Sequence, residues 1–124
     1  ATQDIHAAAG TSLERMIRDI RASGSISAGS TFDISPGGLV LISGATTTEF
    51  FLQNNILMLK QNGVPVGPLS NRKNVTVETL VFRHLSNAVS EGVRIELTLR
   101  AKRGLFVKTE TFYAFAILRG TYQE

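Results

Sequence analysis

The chain has 124 residues, one domain's worth, and can bury a single core without a metal or a disulfide staple. It contains no Cys, which excludes thiol nucleophiles, Cys-ligated zinc and disulfides and leaves the compartment open. Thirteen basic against ten acidic side chains give a net charge of +3, a modest excess that hints at an acidic partner, and no run approaches the roughly eighteen apolar residues of a membrane span.

Residues 1–23 (ATQDIHAAAGTSLERMIRDIRAS) are the predicted helix. Ile5, Leu13, Met16, Ile17 and Ile20, joined by Ala8 and Ala9, recur at helical spacings and form a stripe that faces a core. Gln3, Ser12, Glu14, Arg15, Arg18, Asp19 and Arg21 take the opposite side, where Glu14/Arg18 and Arg15/Asp19 stand one helical turn apart and can pair. Such pairs contribute about 0.2–0.5 kcal/mol each, so the buried stripe must hold the helix in place. Gly10 costs about 0.8–1 kcal/mol relative to Ala, and the Ala-Ala-Ala-Gly run offers a thin side for close packing. The helical pattern begins abruptly at Ala1 without a capping box, which predicts a helix continued upstream.

Residues 24–38 change character and read as a Gly/Ser linker, with one short extended piece around Thr31–Ile34 and a turn at Ser35-Pro36-Gly37-Gly38. From there to residue 119 the pattern is of strands. Leu39–Ile42 and the β-branched and aromatic Thr46–Gln53 come first, and Asn54-Asn55, which tolerates positive φ, turns into Ile56–Gln61. After Asn62-Gly63, Val64–Leu69 carries two prolines and reads as an edge or a loop. Val75 and Val77 are out of phase with Leu80 and Phe82, so a β-bulge near Glu78-Thr79 is needed to bring both pairs to one face. Val93, Ile95, Leu97 and Leu99 alternate with Arg94, Glu96, Thr98 and Arg100, the pattern of a strand with one face buried and one wet. Residues 106–118 turn apolar on both faces from Phe112, which predicts a central or covered strand. With no second helix for parallel crossovers, the predicted fold is α+β: one N-terminal helix packed on a mainly antiparallel sheet of about six or seven strands.

Catalytic constellations are missing from this pattern. His6 and His84 lie far apart and neither has a partner at a ligand spacing, the acids are isolated, and Ser35-Pro36-Gly37-Gly38 lacks the lysine and following helix of a phosphate loop. No enzyme, metal or cofactor is expected. The basic turn Arg100, Lys102 and Arg103 with Lys108, beside Phe106, is the candidate nucleic-acid or ligand contact, and that reading needs it gathered with Arg72 and Lys73 on one face. The competing reading of cations at a strand tip is solvation and edge protection.

The run from Leu13 to Ser23 (LERMIRDIRAS) entering a Gly/Ser linker resembles the exposed half of the N-terminal helix of type IV pilin-like proteins. Phe50-x-Leu52, the Asn54-Asn55 turn, Ile56-x-Met58, Pro68-Leu69-Ser70, Val75-x-Val77-x-x-Leu80-x-Phe82, the Val93–Leu99 strand and Phe115-Ala116-Ile117-Leu118-Arg119 follow in an order similar to minor pilins and minor pseudopilins of type II secretion. The disulfide-bounded loop of many major pilins is absent, since there is no Cys. The resemblance implies a non-catalytic filament subunit, a minor, tip or assembly-initiating component. It further implies attachment to the bacterial inner membrane through an apolar helix upstream of Ala1, with the globular part in the periplasm or at the cell surface. Its partners would be other pilin-like or pseudopilin subunits, contacted through Glu14, Arg15, Arg18 and Asp19. The alternative is a surface ligand- or DNA-binding module on the same scaffold.

Overall fold

A computed structural model describes residues 2–69 and 74–119. The helix α1 spans Thr2–Ala22 and buries Ile5, Ala8, Ala9, Met16 and Ile20, with Leu13 and Ile17 half-buried on its flank. Ser12, expected on the wet side, lies within the stripe at 3% exposure. Ala8 and Ala9 make the thin side, whereas Gly10 is exposed and a Cβ there meets nothing within 4 Å. Ser23 closes the helix: its Oγ donates to the Asp19 carbonyl at 2.5 Å and its N–H to the Ile20 carbonyl at 3.1 Å.

Among the described residues eight strands follow: β1 (Ser25–Ile26), β2 (Leu39–Ser43), β3 (Thr46–Gln53), β4 (Ile56–Gln61), β5 (Val64–Pro68), β6 (Val75–Ser86), β7 (Glu91–Arg103) and β8 (Phe106–Ile117). They form two antiparallel meanders, a five-stranded sheet β1-β2-β3-β4-β5 and a three-stranded sheet β6-β7-β8, in place of the expected helix on one sheet. Covering capacity explains the difference. A helix is about 10 Å wide and strands lie about 4.8 Å apart, so one helix covers two or three strands. The apolar rows it leaves bare must face each other. The division falls after β5, where Pro65 and Pro68 lack the N–H groups that a further strand would need. Leu39, Leu41, Phe50, Leu57 and Leu59 of the first sheet join Val77, Leu80, Phe82, Val93, Ile95, Leu97 and Leu99 of the second and the helix stripe in one core.

The supposed linker is more tightly bound than its composition suggests. Ser25 and Ile26 pair with Ile42 and Leu41, and Thr31 bridges Gly38. The Asp33 N–H donates to the Phe82 carbonyl at 2.9 Å and the Gly37 N–H to the Leu80 carbonyl at 2.8 Å, while the Leu80 N–H donates to Ser35 Oγ at 3.1 Å. The loop thus satisfies the outer edge of β6. Gly37 lets the loop approach closely, because a Cβ would stand 3.0 Å from the Leu80 carbonyl oxygen and 3.1 Å from the Phe82 ring. Farther along the same edge, the Val77 N–H donates to the Asn55 carbonyl at 2.8 Å, so the β3–β4 turn ties one sheet to the other.

The bulge in β6 falls where the phase shift requires it: Val77 pairs with Leu99, Thr79 with Thr98, and Glu78 is passed over. β8 departs from expectation. It is an edge strand, and on its outer face Tyr113 is 60% and Phe115 46% exposed. No further layer covers these rings among the described residues, and each lies against its own sheet: the Arg94 guanidinium is 5.1 Å from the Tyr113 centroid, and Phe115 covers Gly92, where a Cβ would come within 2.7 Å of the ring.

Candidate functional site

Two surfaces carry the residues singled out in the sequence. The first is the wet face of α1. Arg15 Nε donates to Asp19 Oδ2 at 2.9 Å, the expected pair, but Arg18 turns to Asp19 at 3.9 Å and not to Glu14. Successive residues do not face each other on a helix, so Asp19 is engaged chiefly by Arg15 and the Arg18 head is largely in solvent. Glu14, Arg15 and Arg18 line a groove of about 430 Å³ whose other wall is Val66, Gly67, Pro68 and Leu69 at the edge of the five-stranded sheet. Charge on one wall and an exposed apolar, proline-bearing edge on the other suit a protein surface better than a small molecule.

The second is the end of the β7–β8 hairpin. Arg103 pairs with Phe106 across the turn, Lys102 with Val107, Ala101 with Lys108 and Arg100 with Thr109. Since successive side chains alternate between faces, Arg100 and Lys102 project from one face and Arg103 and Lys108 from the other. The cations ring the tip and do not form one basic plane. Arg100 reaches Glu78 at 3.6 Å, whereas Lys102, Arg103 and Lys108 form no ion pair among the described residues. Arg72 and Lys73 lie outside the described residues.

Elsewhere, side chains distant in sequence meet. His6 Nε2 lies 3.1 Å from Glu110 Oε2, and His84 Nε2 lies 2.5 Å from Glu91 Oε2 while its ring stacks on Phe32 at 5.3 Å. The second pair was readable from the β6–β7 hairpin, whose register sets Ser86 opposite Glu91; the first needs the helix placed on β8 and has no local signal. Arg83 is held between Glu96 and Asp33, and its hydrogen bond to Glu96 lowers that carboxyl below its ordinary pKa while raising that of Arg83. Among the described residues no three His, Asp or Glu side chains converge on a metal position, and no helix is long and apolar enough to cross a membrane. No family model, no curated protein and no solved structure matches the chain.

Proposed function

We propose that this protein is a non-catalytic structural subunit of a bacterial filament of the type IV pilus or type II secretion pseudopilus kind, a minor, tip or assembly-initiating component. The observation that supports it best is the open groove in which Glu14, Arg15 and Arg18 of α1 face the exposed apolar edge strand β5. On this reading the subunit attaches to the inner membrane through an apolar helix upstream of α1, its globular part stands in the periplasm or at the cell surface, and its partners are other subunits of the same filament. A nucleic-acid role is less well supported, because the tip cations divide between two faces.

The test is co-assembly. Reversing Arg15 and Arg18 to Glu removes the pair with Asp19 and sets like charges beside Glu14; Arg18 is exposed and Arg15 half-buried, and both lie outside the buried stripe. Capture of sibling subunits by the double variant should fall at least tenfold while its far-UV circular dichroism stays unchanged. Equal capture by variant and parent would refute the assigned surface.

A further inference from the structure

Among the described residues, the two most exposed large apolar side chains are neighbours on the β7–β8 turn. Leu105 is 100%, Phe106 80% and Val107 49% exposed. Nothing in folding requires them: the last buried residue of β7 is Ala101, and every described residue from Lys102 to Thr109 is exposed. Lys102 and Arg103 precede them and Lys108 follows, with Gly104 at φ +61° making the turn. An apolar point ringed by cations that form no ion pair among the described residues has two chemistries in sequence along one axis, hydrocarbon outermost and positive charge behind it. A bilayer with anionic headgroups presents the same two in the complementary order.

We propose that the Leu105-Phe106-Val107 tip inserts into the interface of an anionic lipid bilayer, with Lys102, Arg103 and Lys108 seated on the headgroups. Distribution of charge decides for lipid over nucleic acid. A groove that tracks a phosphate backbone needs its cations on one side and aromatic rings for the bases, whereas here the cations surround the point and two of its three apolar side chains are aliphatic. Long Lys and Arg side chains on both faces can lie back along the hairpin and keep their charges at headgroup level while the tip goes deeper.

The direction of α1 supports the same geometry. His6 meets Glu110 and Phe112, while Arg21 lies near Ala116 and Ile117, so α1 runs alongside β8 in the same sense. The tip therefore projects at the end of the molecule where α1 begins. Phe106 stands four residues beyond Glu110, roughly 13 Å along the strand, and Thr2 stands four residues before His6, roughly 6 Å along the helix. The inference rests on the assembly reading only for which bilayer is in reach: a subunit attached through an upstream helix would present this tip to the membrane that holds it.

The chain contains no Trp, so Phe106→Trp gives a single reporter at the tip. Vesicles of phosphatidylcholine with 30 mol% phosphatidylglycerol should shift its emission to the blue, lipid-borne bromine should quench it, and pure phosphatidylcholine should do neither. In co-flotation, each of Lys102→Gln, Arg103→Gln and Lys108→Gln should weaken binding to the anionic vesicles by roughly fivefold. Leu105→Ser with Phe106→Ser should abolish insertion, and circular dichroism would confirm that the fold is retained at these exposed positions. No blue shift and no flotation would overturn the proposal. Flotation that depends on the cations but not on Leu105 and Phe106 would also overturn it, as would salt-sensitive DNA binding in a protein indifferent to vesicles. The double serine variant should capture sibling subunits as the parent does, whereas the Arg15 and Arg18 reversal should leave vesicle binding intact, so either reading can fail without the other.

Discussion

The two ends of the β7–β8 hairpin share strands and register and differ in everything else. At the root, Val93, Ile95, Leu97 and Leu99 are buried under α1 and opposite β6, and Ala116 and Leu118 complete the row. Past Ala101, the last residue that β6 pairs, both strands continue into solvent with a polar and basic sequence around an apolar turn. Burial therefore ends where β6 ends, and it does not follow the strand. Pairing carries a strand only as far as its hydrogen bonds, while a core needs a covering layer; the overhanging part is free to serve a partner.

The largest effect should come from hollowing the root. Leu97 is fully buried at the centre of the row, so Leu97→Ala should cost about 2–5 kcal/mol, seen as a lower denaturant midpoint with an unchanged slope. Ile17→Ala should cost less, because Ile17 flanks the stripe. Equal losses at the two positions would mean that the helix is rotated from the position described. Gly92→Ala tests the outer face of the same root. A methyl group there would stand 2.7 Å from the Phe115 ring and 2.9 Å from the Ala116 carbonyl oxygen, so the ring must move off the sheet, at about 1–3 kcal/mol. A thermal scan that shows no loss would mean that both the Phe115 ring and the Ala116 carbonyl give way without cost.

A gain is expected at Gly10. The helix pays for its glycine in backbone entropy, and the space around it is empty to 4 Å, so Gly10→Ala should raise stability by about 0.8–1 kcal/mol. A loss would reveal that something packs on this face.

Much of this molecule was legible because local chemistry forces it. The alternation from Val93 to Leu99 gave β7, the broken phase at Glu78 located its bulge, and Asn54-Asn55 and Asn62-Gly63 have the positive φ that tight hairpins demand. The division into two sheets was not legible strand by strand, since a strand with one buried face looks the same whether a helix or another sheet covers it. Counting how many strands one helix covers would have exposed the shortfall. Tyr113 and Phe115 misled for the opposite reason: they are apolar but stay exposed on the outer face of β8, where Arg94 lies over Tyr113 and Phe115 rests on Gly92. The candidate residues fared unevenly. The Arg15–Asp19 pair follows from helical spacing, whereas the opposed wall of β5 and the division of Arg100 and Lys102 from Arg103 and Lys108 depend on register and sheet order.

A smaller effect should appear in acid. Arg83 hydrogen-bonds Glu96 and lowers its pKa, with the Arg83 charge adding to this and partial burial opposing it. The folded state therefore holds this proton less well than the unfolded chain. Its contribution is complete above the ordinary glutamate pKa and is lost as pH falls through the lowered folded value. Glu96→Gln should flatten the acid limb of a stability-against-pH curve by removing this small contribution at neutral pH, and should leave stability unchanged below the lowered folded value. An acid limb identical to the parent's would show that the pair is not kept in solution.

The smallest expected effect is the most informative about the hairpin. Leu105→Ser and Phe106→Ser remove the two most exposed large apolar side chains in the described structure, and neither gives up a contact with the core. Their stability should stay within about 0.5 kcal/mol of the parent. If the tip were part of the fold, these substitutions would lower the midpoint as a truncation at Leu97 does, and the distinction between root and overhang would fail. If it is an overhang kept for a partner, stability and function separate at a single residue pair: an unchanged unfolding curve beside a lost interaction. Apolar side chains in that position also carry a cost that selection would otherwise remove, since exposed hydrophobic points promote association between copies. The serine variants should accordingly be the more soluble proteins, and a sedimentation measurement at rising concentration would show it directly.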